Sequence, residues 1–82
     1  MQVIIKYFAS IREAIGQASE QRETTATTLA GLRDELLASG PTYACLSRGR
    51  AVRMALGQVM SDERALLSPG CEVAFFPPVT GG

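Results

Sequence analysis

The C-terminal segment of this chain constrains its fold more than any other part of the sequence. Phe75 and Phe76 end a short run of β-forming apolar residues, which predicts a β-strand. Pro77 and Pro78 must end that strand, because neither proline has an N–H to donate to a neighbouring strand. The two prolines also favour an extended polyproline conformation. The pattern therefore predicts a strand that continues into a protruding tail, residues 77–82, whose first part is a stiff Pro77–Pro78 neck.

The tail ends on two glycines. Val79, Thr80, Gly81 and Gly82 follow the neck, and four extended residues span roughly 13 Å. Because glycine has no Cβ, such an end can enter a narrow channel and approach another protein's backbone closely. A carboxylate delivered in this way can be activated as an acyl-adenylate and then attacked by a nucleophile. A Gly-Gly end can equally be a frayed terminus, but a frayed end needs no stiff neck, so we favour delivery to a partner.

Length, composition and charge exclude several classes of protein. The 82 residues predict one domain, residues 1–82, and an apolar fraction of 46% argues against disorder. Eight basic and eight acidic residues give a formal net charge of zero, which predicts no nucleic-acid partner and no membrane-surface partner. The sequence shows neither an apolar run of about 18 residues nor a signal-peptide pattern. We therefore expect a cytoplasmic location.

The chain lacks the residue combinations of metal sites and common active sites. It contains two cysteines, Cys45 and Cys71, without CxxC spacing, and it contains no histidine. We therefore expect no metal site, and reduced, inert thiols are the favoured interpretation over a redox or nucleophilic role. No Ser/His/Asp set and no paired carboxylates at a catalytic spacing are visible.

The N-terminal segment predicts a strand and then a short helix. Gln2–Phe8 is rich in β-forming residues, with Val3 and Ile5 assigned to the core and Ile4 and Phe8 on the opposite face. The short helix is predicted over residues 10–15. Its predicted N-cap is Ser10 in a capping-box pattern with Glu13, and Gly16 is placed to end it. Part of Ala18–Glu23 is predicted as an edge strand, because its charges suit a sheet edge.

The middle of the chain predicts the main helix. Thr27 or Thr28 is the expected N-cap, and the segment Ser39–Pro41 is the expected stop. The apolar stripe of this helix consists of Leu29, Leu32, Leu36 and Leu37. The residues expected to face water are Arg33, Asp34 and Glu35.

Two short strands are predicted between the main helix and the last strand. They lie within Ala51–Met60 and flank a turn at Gly57-Gln58. Arg48, Arg50 and Arg53 form the only local basic cluster, which is either a solvated surface or a docking patch for an acidic partner. Since the first and last strands are both apolar, we expect them to pair centrally in the sheet. The predicted class is α+β, with a mixed sheet of about five strands and one main helix across one face.

Two segments resemble a known family. Val73–Gly82 is similar, almost residue for residue, to the tail of the small subunits of molybdopterin synthase, and Tyr7–Gly16 matches their Phe-Ala-x-x-Arg-Glu-x-x-Gly pattern. That family consists of ubiquitin-like sulfur carriers, so the resemblance implies a ubiquitin-like β-grasp fold. The chain departs from the family at Gly57, where asparagine is frequent. Glycine can adopt the same positive-φ turn, although the side-chain hydrogen bond is lost.

The resemblance implies a mechanism with Gly82 as the reacting residue. An ATP-dependent activating enzyme would adenylate the Gly82 carboxylate, and a sulfur donor protein would convert it to a thiocarboxylate. The large subunit of molybdopterin synthase would bind this protein and transfer the sulfur to precursor Z. The catalytic residues would belong to the large subunit, and no cofactor would be bound permanently by the carrier.

Residue alternation indicates a partner surface. If Phe75 points towards the helix, as we expect, then Phe76 points out from the opposite sheet face. Phe8 shares that face if the first strand is central, and exposed phenylalanines on one face predict an interaction patch. The resemblance implies that Phe8, Arg12, Met60 and Phe76 contact the large subunit.

Two other functions stay open at this point. One is a related sulfur carrier that serves thiamine, cysteine or tRNA thiolation, although its members share less of the segment before Gly81-Gly82. The other is a ubiquitin-like modifier that forms isopeptide bonds. A plain interaction domain with an unreactive tail is the simplest alternative to all three.

Overall fold

The computed structural model describes residues 1–78, so Val79–Gly82 lie outside the described residues. Five strands form one mixed sheet in the order β2-β1-β5-β3-β4. The elements in chain order are β1 (Gln2–Tyr7), α1 (Ala9–Ile15), β2 (Ser19–Glu23), α2 (Leu29–Ser39), a 3₁₀-helix (Pro41–Leu46), β3 (Arg53–Leu56), β4 (Val59–Ser61) and β5 (Glu72–Phe76). None of the described helices has the length and apolar character that a bilayer crossing requires.

The apolar first and last strands pair at the middle of the sheet, as predicted. β5 is the central strand, with β1 parallel to it on one side and β3 antiparallel to it on the other. In this register Ile5 pairs with Val73 and Tyr7 pairs with Phe75. The charged strand β2 lies at one edge, which confirms the prediction made for Ala18–Glu23. β5 is therefore held from both sides along its length.

One face of the sheet, called here the inner face, packs against α2 and builds the core. Val3 and Ile5 are fully buried, as expected, and so is the stripe of Leu29, Leu32 and Leu36 on α2. The remaining fully buried large side chains are Tyr7, Leu46, Val73 and Phe75. Burial of apolar area of this kind is the main stabilising term in a small fold.

The ends of α2 follow from local chemistry. The hydroxyl of Thr28 accepts a hydrogen bond from the N–H of Gly31 at 3.1 Å, so Thr28 is the N-cap, one of the two predicted residues. Gly31 lies close to the preceding loop, since a Cβ there would stand 3.3 Å from the Cβ of Ala26. The helix ends before Gly40 and Pro41, and the 3₁₀-helix begins there.

The short helix α1 starts one residue earlier than predicted, and its cap was predicted wrongly. Its N-cap is Phe8 rather than Ser10, and no side chain caps it. The N–H of Phe8 still bonds to the carbonyl of Phe75 at 3.2 Å, so the chain turns immediately afterwards, with Ala9 at a φ of 51°. Ser10 consequently falls inside the helix. The predicted end is confirmed, because Gly16 adopts a φ of 89°.

Arg33 was predicted to face water, and this prediction was wrong. The residue is only 5% exposed. Its guanidinium donates to the carbonyls of Leu46 and Ser47, and Nη1 lies 3.4 Å from the carboxylate of Glu63. The Leu46 carbonyl stands at the end of the 3₁₀-helix, and the Ser47 carbonyl also accepts from the backbone N–H of Arg50 at 3.0 Å. Helical periodicity could not anticipate this, because the segment that covers Arg33 is remote in sequence.

Replacing Arg33 with alanine is expected to lower the free energy of unfolding by about 2 kcal/mol, because the Leu46 carbonyl would lose its charged donor and the Ser47 carbonyl one of its two donors. Urea denaturation of both proteins measures the difference. Asp34→Ala is the control, since Asp34 is exposed and its ion pair with Arg48 lies at the surface. We expect a loss below about 1 kcal/mol there. Equal losses in the two variants would contradict the anchoring role of Arg33.

Candidate docking and tail-presenting site

The site is built around the point where β5 ends. β1 and β3 flank β5 as far as its last residues, with Tyr7 opposite Phe75 and Arg53 opposite Phe76. Pro77 and Pro78 follow directly and are half-buried. A rigid central strand therefore sets the direction in which the chain leaves the sheet. The rest of the predicted tail, Val79, Thr80, Gly81 and Gly82, lies outside the described residues.

The inner face holds the end of β5 through aromatic packing. The rings of Tyr7 and Phe75 stack with their centroids 6.2 Å apart. The Tyr7 hydroxyl donates to Glu20 at 3.2 Å, and the Tyr43 hydroxyl donates to the same carboxylate at 2.8 Å. Burial, reinforced by the charge of Glu20, raises the pKa of Tyr7 well above its ordinary value. Tyr7 therefore stays neutral and keeps β1 and β5 in register beneath the exit.

Because side chains alternate along a strand, the two adjacent phenylalanines of β5 lie on opposite faces of the sheet. Phe75 is fully buried on the inner face, which confirms the predicted choice between them. Phe76 is half-buried and lies on the opposite sheet face, called here the outer face. There its ring meets that of Phe8 edge to face, with centroids 6.5 Å apart and planes at 85°. Phe8 is 45% exposed, so the pair presents apolar surface to solvent beside the neck.

Met60 shares the outer face with this pair. Ala55 lies opposite both Met60 and Ala74, so all three side chains belong to one row across β4, β3 and β5. Met60 is 56% exposed although it is large and apolar. The structure therefore brings Phe8, Phe76 and Met60 to one face, which alternation predicted for Phe8 and Phe76, whereas Met60 was named only through the family resemblance. Their role as contacts for a partner stays a prediction.

Arg12 lies on α1 rather than on the sheet. The helix buries Ile11 and Ile15 and leaves Arg12 exposed. The backbone N–H of Arg12 bonds to the carbonyl of Phe8 at 3.3 Å, so the residue stands one helical turn from the aromatic pair. Its role as a contact for a partner stays a prediction.

Two depressions flank the neck. A groove of about 560 Å³ lies on one side, lined by Pro78, Met60, Arg53 and Arg64 among others. A smaller recess of about 250 Å³ is lined by Pro77, Arg50 and Cys45 together with residues of α1. Sequence reasoning named Arg50 and Arg53 only as members of a basic cluster. Their positions beside the neck depend on the pairing of β3 with β5, which no local pattern encodes.

The turn between β3 and β4 supports the edge that carries Met60. Gly57 and Gln58 have φ values of 58° and 68°, as in the two-residue turns that suit the twist of a hairpin. Gly57 thus adopts the positive φ that the sequence predicted. Its N–H also bonds to the carbonyl of Glu72 at 2.9 Å, which ties the turn to β5.

The two cysteines are free and half-buried. Burial raises the pKa of the Cys45 thiol, which disfavours the reactive thiolate although Cys45 lies in the recess beside Pro77. Within residues 1–78, no three His, Cys, Asp or Glu side chains come together as a metal-binding group.

These features define a class of protein. A mixed sheet with a parallel central pair, a helix across one face and a central strand that leads into a proline neck is the arrangement of a ubiquitin-like β-grasp protein with a C-terminal tail. The chain belongs to the ThiS family, which matches residues 5–82.

Two curated relatives carry the same name. The molybdopterin synthase sulfur carrier subunit of Haemophilus influenzae is 35% identical over 79 residues, covering 95% of this chain and 96% of the relative. Its Escherichia coli namesake is 32% identical over 78 residues, with the same coverage of 95% and 96%. Both likenesses extend over nearly the whole of each chain.

Solved structures share the fold. SAMP1 from Haloferax volcanii superposes with a TM-score of 0.80 at 22% identity, covering 100% of both chains. A complex of subunits 1 and 2 of the molybdopterin-converting factor from Helicobacter pylori contains a chain that superposes with a TM-score of 0.71 at 24% identity, again covering 100% of both chains. At these identities the likeness concerns the fold.

Proposed function

We propose that this protein is the sulfur carrier subunit of molybdopterin synthase. The observation that carries the proposal is the 35% identity, over 95% of the chain, to a relative of that name. The geometry agrees with it, because a central strand held on both sides leads directly into the proline neck. A rigid strand before the tail suits a carrier, because a tail whose first residues are already fixed loses less conformational entropy when it binds a partner.

The chemistry takes place at Gly82. Its carboxylate attacks the α-phosphate of ATP on an activating enzyme, forming an acyl-adenylate and releasing pyrophosphate. Adenylation is needed because a carboxylate is a poor electrophile, whereas AMP is a good leaving group. The sulfur of a donor protein then attacks the acyl carbon and displaces AMP, and a thiol cleaves the bond between that sulfur and the donor, which leaves a C-terminal thiocarboxylate. ATP belongs to the activating enzyme, and the carrier itself holds no permanent cofactor.

The loaded carrier then delivers its sulfur to the large subunit of molybdopterin synthase. Phe8, Phe76 and Met60 would form the apolar centre of that interface, with Arg12 at its border. Aromatic side chains, methionine and arginine are all enriched in interfaces, and the rim of an interface is polar. The tail would enter the large subunit's active site, where the sulfur passes to precursor Z to build the dithiolene of molybdopterin. We place these steps in the cytoplasm.

Mass spectrometry of the protein tests this function. The protein is isolated after co-expression with its activating enzyme and sulfur donor, and the C-terminal peptide is sequenced. We expect one oxygen of the Gly82 carboxylate to be replaced by sulfur, and we expect the replacement to disappear when the activating enzyme is omitted. An unchanged terminus in the presence of both partners would overturn the proposal.

A ubiquitin-like modifier is the second candidate, because the fold also matches SAMP1, which is named a small archaeal modifier protein. The same experiment distinguishes the two functions, since a modifier would be found attached to lysines of other proteins. Lys6 is the only lysine of this chain, and its Nζ lies 2.6 Å from the carboxylate of Glu72. Self-linked chains therefore have one attachment point at most, besides the N-terminus.

A further inference from the structure

The groove beside the neck begins where the described chain ends. Pro78, the last described residue, is half-buried and lines it. The register of the sheet brings three strand ends to this edge, because Phe76 pairs with Arg53 and Met54 pairs with Ser61. The end of β5, the start of β3 and the end of β4 therefore meet there. Residues at or just beyond these ends line the groove of about 560 Å³.

The chain beyond Pro78 has the length to cross this groove. Neighbouring strands lie about 4.8 Å apart, so β4 is about 10 Å from β5, with β3 between them. Four extended residues, Val79–Gly82, span roughly 13 Å. Gly81 and Gly82 can approach the wall of the groove closely, because neither has a Cβ. The C-terminal carboxylate is therefore within reach of the far side of the groove, at β4.

The charge of the groove complements a carboxylate. Its charged lining residues are three arginines and two acidic residues: Arg33, Arg53, Arg64, Asp62 and Glu63. Both acidic residues pair with arginines. Arg53, in contrast, is exposed and forms no ion pair within residues 1–78. One carboxylate would therefore balance the excess charge, and a guanidinium can bind it through two parallel hydrogen bonds.

The groove also offers apolar contacts. Met60 lines it and is 56% exposed, although it is large and apolar. Val52 is half-buried and lines it as well. Val79 is the one large apolar side chain beyond the neck, and it directly follows Pro78. A segment that starts with an apolar side chain and ends with a carboxylate thus matches the lining of the groove.

We propose that Val79–Gly82 lie in this groove while the protein is free, with Val79 against Met60 and the Gly82 carboxylate at Arg53. An exposed ion pair shifts an equilibrium by only about 1.5- to 5-fold, so the docking is reversible. Attachment to the neck favours it, because a short tether holds the segment at an effective concentration in roughly the millimolar range.

Docking of the tail couples its release to the binding of a partner. Met60 lines the groove and also belongs to the outer face. A partner that covers the outer face competes with Val79 for Met60, so it shifts the tail towards the released state. The carboxylate is then freed beside the partner that receives it. This consequence rests on the proposed function, since it takes the large subunit as that partner, whereas the docking itself is a property of the free protein.

NMR spectra of the free, full-length protein test the docking. We expect NOEs between the methyl groups of Val79 and Met60, and a shift of the Ser61 amide signal when the chain is shortened to end at Pro78. Ser61 lies on β4, two strands from β5, so its amide senses the tail only if the tail crosses the groove. Arg53→Gln should lower the ratio of docked to released tail about 1.5- to 5-fold. Salt at about 0.5 M should also lower it, because it screens exposed charges.

Arg50→Gln is the matched control. Arg50 is also exposed and also forms no ion pair within residues 1–78, but it lines the recess on the other side of the neck. Its Ser61 signal should match that of the wild type. The docking is refuted if the NOEs are absent and shortening the chain leaves Ser61 unchanged. Equal effects of Arg50→Gln and Arg53→Gln would refute the contact with Arg53. Thermal unfolding of each variant verifies that the fold is intact.

These outcomes are independent of the proposed function, because the protein is studied alone. A second measurement adds the large subunit and tests the coupling. The NOEs between Val79 and Met60 should then disappear as the complex forms. If they persist in the complex, the release of the tail is refuted while its docking stands. Failure of the sulfur carrier function would instead appear as an unchanged Gly82 in the mass spectrum.

Discussion

Deletion of Gly82 is expected to reduce sulfur loading and molybdopterin formation by at least about 100-fold. Removing one residue withdraws the terminal carboxylate by about 3 Å. A displacement of even ~1 Å from the reactive position costs about 100-fold in rate. The measurement is thiocarboxylate formation by mass spectrometry, followed by molybdopterin production from precursor Z with the purified large subunit.

Binding measurements make this prediction specific. The deletion leaves the sheet, α2 and the outer face untouched, so the variant should unfold at the same urea concentration as the wild type. Calorimetry should give a Kd for the large subunit within about 3-fold of the wild-type value, because interface energy is concentrated in a few central side chains. Full loading of the shortened protein would show that Gly82 is not the carrier residue.

Phe75→Ala is expected mainly to lower stability, whereas Phe76→Ala is expected mainly to weaken binding to the large subunit. Phe75 is fully buried and stacks on Tyr7, so its loss should cost about 3–5 kcal/mol. That is a large fraction of the stability of a domain of this size. Phe76 is half-buried on the outer face, so Phe76→Ala should cost only about 1 kcal/mol of stability. It should weaken binding to the large subunit by about 2 kcal/mol, or roughly 30-fold in Kd.

Urea denaturation of the free variants and calorimetry with the large subunit measure the two effects separately. Phe76→Leu is a useful companion, because it retains apolar area while removing the edge-to-face contact with Phe8. It should bind more tightly than Phe76→Ala. If Phe75→Ala proved no less stable than Phe76→Ala, the assignment of these residues to opposite faces would be wrong.

Predictions from the sequence were most accurate where a local pattern has one physical explanation. The apolar stripe of α2 and its Thr28 cap were identified because helical period and capping act over a few residues. The end of β5 at Phe76 was also predicted correctly, because the proline that follows lacks the N–H needed for hydrogen bonds between strands. The cap of α1 was missed because the hydrogen bond from Phe8 to Phe75 joins residues far apart in sequence.

The tertiary structure decided which arginines are free to contact a partner. In the sequence, Arg33, Arg48 and Arg53 all look like surface residues. Arg33 is buried because the end of the 3₁₀-helix offers it carbonyls, and Arg48 is paired because Asp34 and Glu63 meet it in space. Arg53 stays unpaired within residues 1–78 and stands beside the neck, because β3 pairs with β5 in one register.

The sequence by itself determined the strands, the two α-helices, their order and the proline neck with its Gly-Gly end, but not the 3₁₀-helix Pro41–Leu46. These depend on side-chain period, missing backbone donors and missing Cβ atoms, all of which are properties of neighbouring residues. Only the tertiary structure brought Met60 to the face that Phe8 and Phe76 share, and set Arg50 and Arg53 on either side of the neck. Those placements depend on strand register and helix docking, which arise from the packing of the whole core.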